Sequence, residues 1–196
     1  MAGYTISNLA ADVQRMVDQH GGIRERTEAI ALYLRRWMDD PDLTDEQRSP
    51  CEGRACGHLL HTAADGSFFI ISVVFPPGTS SGVHYHGAWG VIGVLAGVDE
   101  ETKYARPEGP AEPSAGEACE LEQTAKLHFA PGSITYLLPP EEGYHRVRAV
   151  GEEAGVSLHI LGGTADTHPH FLCHPESRKL VDFPMATLLD RVPPAV

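Results

Sequence analysis

From residue 57 onward the chain is a succession of short β-rich runs separated by turn signals. The runs are GHLLHT, SFFIISVVF, WGVIGVLAGV, KLHFA, SITYLL, HRVRAV and VSLHILGG. Asp65-Gly66, Pro76-Pro77-Gly78, Pro131-Gly132 and Pro139-Pro140 supply the turns. Residues 105–116, rich in Pro, Gly, Ala and Glu, read as one long loop. Many short strands without βαβ alternation predict a closed barrel or a double-sheet roll. No repeat of solenoid type appears.

The segment before this pattern is different. Residues 5–40 read as helical, in two pieces. In the first, Ser7 or Asn8 is the expected cap, Leu9, Val13, Met16 and Val17 recur at helical spacing, and Gly21-Gly22 ends the run. In the second, residues 24–38, Ile30, Leu34 and Trp37 share one side before Pro41. Both helices are expected to pack across the outside of the β framework. A polar connector over residues 39–53 carries Pro41, Pro50 and many acids.

At 196 residues the chain has the length of one domain. Its 42% hydrophobic content is enough to bury one core. No apolar run approaches the length of a membrane span, and the N-terminus lacks the basic start and apolar stretch of a secretory signal. A net charge of −12 argues against nucleic acid as a partner. Cys51, Cys56, Cys119 and Cys173 form no recognisable framework or zinc ribbon, so reduced thiols in a cytoplasmic protein are expected.

The chemistry-bearing motif is His84-Tyr85-His86. Residues two apart on a strand project from the same face, so the two imidazoles lie together and Tyr85 points away. With His145 from another strand they can cap one side of a metal ion, neutral imidazole being the commonest protein metal ligand. A bare His-x-His is more often a satisfied surface pair; its flanking sequence turns the balance toward a metal. His168-Pro169-His170 has the same spacing, but its proline argues against an interior strand and no third ligand is obvious, so no second metal site is expected. His58, His61 and His128 could line the pocket or sit on the surface, and the surface is expected for each. No Gly-rich phosphate loop, Ser-His-Asp order or zinc-binding His-Glu-x-x-His helix is present.

Gly82-Val83-His84-Tyr85-His86 with Gly97, followed by Pro131-Gly132 and His145, resembles the two motifs of the cupin superfamily. The general cupin pattern places a glutamate about four residues after the histidine pair, where this chain has Gly87-Ala88-Trp89-Gly90-Val91. A three-histidine centre without a carboxylate distinguishes the thiol dioxygenases of the cysteine dioxygenase type. The segments His84 to Leu95, Gly143 to Val147 and Val156 to Gly163 resemble bacterial members of that family, including 3-mercaptopropionate dioxygenases. The likeness covers roughly residues 57 to 165. It implies Fe(II) held by His84, His86 and His145. It also implies a small-molecule thiol and dioxygen as partners and a sulfinic acid as product. Three histidines alone would equally suit zinc.

Two departures from that family bear on the substrate. The family's Ser-His-Tyr relay falls on Ser157, His159 and Leu161, so the tyrosine hydroxyl is replaced by an apolar wall and no tyrosine–cysteine crosslink is expected. The arginine that clamps a substrate carboxylate falls at Gly57, leaving Arg54, Arg146 and Arg148 as candidates for charge pairing. Ser157 and His159 are expected to tune oxygen or substrate, and Leu161, Trp89 and Arg54 to line the substrate pocket. Cysteine is not the expected substrate; a thioimidazole such as ergothioneine, or 3-mercaptopropionate, is. The expectation is a mainly β cupin barrel (double-stranded β-helix, jelly roll) over residues 54–196, with a helical extension over residues 1–53 packed on it. The chain is expected to be a cytoplasmic monomer or small homo-oligomer. Two alternatives remain: another metal-dependent cupin enzyme, either an isomerase or a ring-cleaving dioxygenase, and a non-catalytic small-molecule-binding cupin.

Overall fold

Helix α1 (Ile6–Gln19) starts two or three residues earlier than Ser7 or Asn8 would cap it. Thr5 is the N-cap: its Oγ1 accepts the Asn8 N–H at 3.4 Å, and the Asn8 side chain accepts the Thr5 N–H at 3.0 Å. This reciprocal box satisfies two otherwise orphaned donors. Helix α2 (Ile23–Met38) follows after a short break. Asp42 then ties the pair together, its carboxylate accepting the Ile6 N–H at 3.0 Å and the Trp37 indole N–H at 2.7 Å. The computed structural model describes residues 3–109 and 111–189; the chain's final residues, assigned from sequence to the barrel's tail, lie outside that range.

Eleven strands follow among the described residues. They are β1 (Cys56–Thr62), β2 (Phe68–Phe75), β3 (His84–His86), β4 (Gly90–Ala96), β5 (Val98–Ala105) and β6 (Glu122–Phe129). Then come β7 (Ile134–Leu137), β8 (Tyr144–Val150), β9 (Gly155–Gly162), β10 (His170–Cys173) and β11 (Leu180–Asp182). They form two sheets, ordered β1-β2-β9-β4-β7 and β11-β10-β3-β8-β5-β6. Within β2–β9 the pairing is nested: β2 pairs with β9, β3 with β8, β4 with β7 and β5 with β6, all antiparallel. That nesting is a long hairpin rolled into two sheets, the eight-stranded jelly roll of cupins. The fold expected from sequence is the one found.

Strand β2, Phe68-Phe69-Ile70-Ile71-Ser72-Val73-Val74-Phe75, is buried along its whole length because both its faces are covered. Phe69, Ile71, Val73 and Phe75 point into the barrel with Ile92, Leu137 and Leu161. Phe68 and Ile70 point outward with Val91, Leu158 and Ile160, and meet Leu9, Val13, Ile30, Leu34 and Trp37 from the helices. Full burial of such side chains stabilises by about 1.5–3 kcal/mol each. Gly93 permits the close approach of α2: a Cβ there would lie 2.6 Å from Met38 Sδ and 3.1 Å from Leu34 Cδ2.

The cysteines overturn the expectation of reduced thiols. Cys51 is joined to Cys56 and Cys119 to Cys173, with Cα separations of 5.8 and 5.9 Å. No described cysteine is free. Residues 119 and 173 become neighbours only because β10 and β11 join the sheet beside the long loop, an arrangement that spacing along the chain does not encode.

Candidate metal centre

The three expected ligands converge. Register pairs His84 with His145 across β3 and β8, and places all three rings inside the barrel. Their ring centroids are 4.4 to 5.2 Å apart, and one nitrogen from each lies within 4.8 Å of the other two. Tyr85 turns to the other face and packs on Tyr144, as strand alternation requires.

Each ring presents the same nitrogen. His84 Nδ1–H donates to Gly82 O at 3.1 Å. His145 Nδ1–H donates to Glu101 Oε1 at 2.7 Å, and Thr135 donates to the other carboxylate oxygen at 3.1 Å. His86 Nδ1 lies 2.7 Å from His168 Nε2, and His168 Nδ1–H donates to Gly162 O at 2.7 Å. Because His168 gives its proton to a carbonyl, its Nε2 accepts, and His86 Nδ1 carries the proton. All three Nε2 atoms are therefore bare lone pairs facing one another. His145 Nε2 is buried with no hydrogen-bond partner. An ion bound by Nε2, with each Nδ1–H held by an outer acceptor, is the standard arrangement of imidazole metal sites, so the residues fit a metal.

Charge favours the same state. Burial first, and the neighbouring imidazoles second, hold His84 and His86 well below the ordinary histidine range, so both stay neutral. Burial pushes Glu101 up, but the His145 hydrogen bond, the charges of His145 and Lys103, and Thr135 pull it below the usual glutamate value. It is an anion that touches His145 and does not enter the ligand set.

No carboxylate joins the trio among the described residues. The position of the general cupin glutamate, four residues after His86, is Gly90. A Cβ at Gly90 would lie 2.7 Å from Leu161 Cδ2 and 2.8 Å from Leu137 Cδ1. Leu161 and Leu137 occupy the space an acid would need.

The structure divides the other expected site residues. Ser157 Oγ and His159 Nε2 are 3.0 Å apart inside the barrel, and His159 Nδ1 is buried without a partner. Burial, with the neighbouring His145 charge, lowers His159 to about 3, so it is neutral. Both line an interior space of only about 10 Å³, shared with Glu101, Thr135 and Asp99, which is about the size of one water. Burial, reinforced by Glu101, raises Asp99 to about 6. The pair thus sits behind His145 and Glu101.

Of the three residues expected in the substrate pocket, Leu161 stands inside the barrel beside Gly90, and Trp89 and Arg54 stand away from the histidines. Leu161 is fully buried in the barrel core with Phe69 and Ile71. Trp89 packs in the layer between sheet and helices, its indole against Gly162 and beneath the Arg26 guanidinium at 5.6 Å. The strand pleat puts it on the outer face, opposite the histidines. Arg54 is exposed on the turn closed by the Cys51–Cys56 bond. Arg146 pairs with Glu100, and Arg148 is exposed.

The second histidine pair, weighed from the sequence only as a separate metal site, stands beside the first. His170 begins β10, which lies beside β3 with His170 opposite His86. Its ring is 4.7 Å from that of His86 and 5.0 Å from that of His84. Pro169 stands just before the strand, where its missing N–H costs nothing and its carbonyl accepts Gly87 N–H at 2.7 Å. Burial lowers both His168 and His170 to about 4. The signal in the sequence is the repeated His-x-His spacing, and Pro169 precedes the strand without interrupting it. Of the remaining histidines, His128 is exposed beside Glu100 and His61 stacks on Phe68. His58, by contrast, is buried, with Nε2 3.1 Å from Ser49 O.

No protein-family model matches the sequence. Among solved structures, the chain is similar to an uncharacterised protein with a double-stranded β-helix domain from Klebsiella pneumoniae. Identity is 15% and TM-score 0.43, over 61% of this chain and 85% of that one. A cupin 2 conserved barrel domain protein from Salinispora arenicola is 18% identical, TM-score 0.43, over 61% and 84%. Oxalate decarboxylase from Bacillus subtilis, described with Mn(II) centres, is 16% identical, TM-score 0.44, over 60% of this chain and 28% of that one. The strand pairing itself defines the class: a cupin-fold barrel with a three-histidine site able to hold a metal.

Proposed function

We propose that the protein is a non-haem iron dioxygenase that converts a small-molecule thiol to its sulfinic acid, RSH + O2 → RSO2H, in the cytoplasm. The observation that carries this reading is the ligand set: three Nε2 donors facing one another, with the carboxylate position physically filled. A metal held this way keeps its full positive charge for an anionic substrate group, which suits a thiolate. Bound Fe(II) would bring thiolate and dioxygen together and pass electrons between them, the four that reduce dioxygen coming from the sulfur.

The protein's own residues do the rest. Glu101, His168 and the Gly82 carbonyl fix the ring orientations and make the imidazoles better donors. Ser157 and His159, with Asp99 and Glu101 close by, offer a proton-holding group behind His145. A mostly apolar cavity of about 130 Å³ opens beside His84 and His170, giving the substrate a place that excludes water.

The test is anaerobic loading with Fe(II), followed by thiols and isotopically labelled dioxygen, with mass spectrometry of products. Both label atoms should appear in a sulfinate, and His84→Ala should abolish the product. Retention of zinc or manganese with no oxygen uptake would favour a different metal-dependent cupin enzyme. Thiol binding that survives His84→Ala would favour a non-catalytic binder. The assay is run with and without reductant, because a reducing cytoplasm would open both disulfides.

A further inference from the structure

The cavity of about 130 Å³ is bounded by His84 and His170 and by apolar side chains including Val73, Phe75, Leu172 and Phe183. Its lining contains no lysine or arginine. Its two hydroxyl-bearing residues are largely committed: Ser81 Oγ donates to Gly82 O at 2.8 Å and accepts Val147 N–H at 3.0 Å, and Ser80 Oγ accepts Gly82 N–H at 3.3 Å. His170 Nδ1–H donates to Phe183 O at 2.6 Å, so its Nε2 is a lone pair, and no described group donates to it. His170 also stands outside the three-nitrogen ligand set.

A carboxylate in such a space would find no cation and would face the His170 lone pair, whereas an N–H donor, an ammonium included, would meet an acceptor held in place. A cavity of about 150 Å³ accommodates a benzene-sized molecule of about six heavy atoms, which bounds the ligand.

Resting on the thiol reading above, we propose that this cavity takes a small thiol bearing an N–H donor and no carboxylate. His170 Nε2 receives that donor while the sulfur faces His84, His86 and His145. His170 is then a specificity-determining residue, and 3-mercaptopropionate is a poor fit.

Binding rather than turnover tests this. Metal-loaded protein is titrated anaerobically by calorimetry with cysteamine, its isostere 1-propanethiol, and 3-mercaptopropionate. A charge-assisted hydrogen bond predicts cysteamine binding about tenfold or more tighter than 1-propanethiol, with 3-mercaptopropionate weakest. In His170→Phe that advantage should vanish, with metal content and 1-propanethiol binding retained. Three results would overturn the proposal: 3-mercaptopropionate binding as tightly as cysteamine, an unchanged ratio in His170→Phe, or metal loss in that variant. Should His170→Phe fail to fold, the wild-type ranking alone decides. If none of the three thiols binds, the thiol function itself falls; if they bind in another order, only the role of His170 does.

Discussion

Two histidine pairs of identical spacing, His84-Tyr85-His86 on β3 and His168-Pro169-His170 where the chain enters β10, lie side by side and do different work. In the first pair both rings turn their Nε2 atoms to the same point, because Gly82 O and His168 hold each Nδ1–H. In the second, His168 spends both nitrogens, one on Gly162 O and one on His86, while His170 spends one on Phe183 O and leaves the other facing the cavity. Spacing places two imidazoles on a face; the acceptor behind each ring decides whether it is a ligand, a support or a substrate contact.

The largest effect that would break this contrast comes from the first pair. His84→Ala or His86→Ala should abolish metal retention through gel filtration, a loss beyond the roughly 10–100-fold that outer partners give. Retention of metal by either variant would remove the trio from the site.

Acid should separate the pairs next. His168 and His170, at about 4 when folded, titrate near 6.5 when unfolded. The unfolded chain therefore binds more protons between these values, and metal-free protein loses stability as pH falls from about 6.5 to about 4. Each histidine accounts for about 3 kcal/mol of that loss. His84 and His86, lowered by burial and by their neighbouring imidazoles, add to the loss in the same direction. Urea unfolding across this range measures it, and His170→Gln should flatten the slope above pH 4.

A smaller change should follow His168→Ala, which leaves His86 Nδ1–H without its acceptor. Metal affinity should fall about 10–100-fold, and Glu101→Gln should act similarly through His145. Competition with a chelator reads both. Smallest of all, His170→Gln should leave metal affinity at the wild-type value. A fall comparable to that of His168→Ala would make the second pair part of the metal site throughout.

Legibility in the sequence was uneven for reasons these regions share. The strands covered by helices, β2, β4 and β9, are continuous apolar runs and could be read directly. Strands β10 and β11 are short, and β5 carries Asp99-Glu100-Glu101 straight after its first residue, which lowers its β-propensity. Those acids are tolerated because each has a local setting: Glu100 takes Lys126 at 2.9 Å, Glu101 takes His145, and Asp99 sits in the interior. Glu101 was missed as the partner of His145 for that reason. Trp89 was misplaced because position after a motif says nothing about which side of the sheet a residue occupies.

By itself the sequence determined what depends on near neighbours: the alternation that puts His84 and His86 on one face, the helical stripes of residues 6–38, and the absence of an acid at residue 90. Only the tertiary structure decided what depends on strand order. It brought His168 to His86 across 82 residues and Glu101 to His145 across 44. It also joined Cys119 to Cys173 and enclosed an apolar cavity beside His170. Local periodicity orients a side chain, but its partners are set by which distant strands the roll lays together, and that is a property of the whole folded chain.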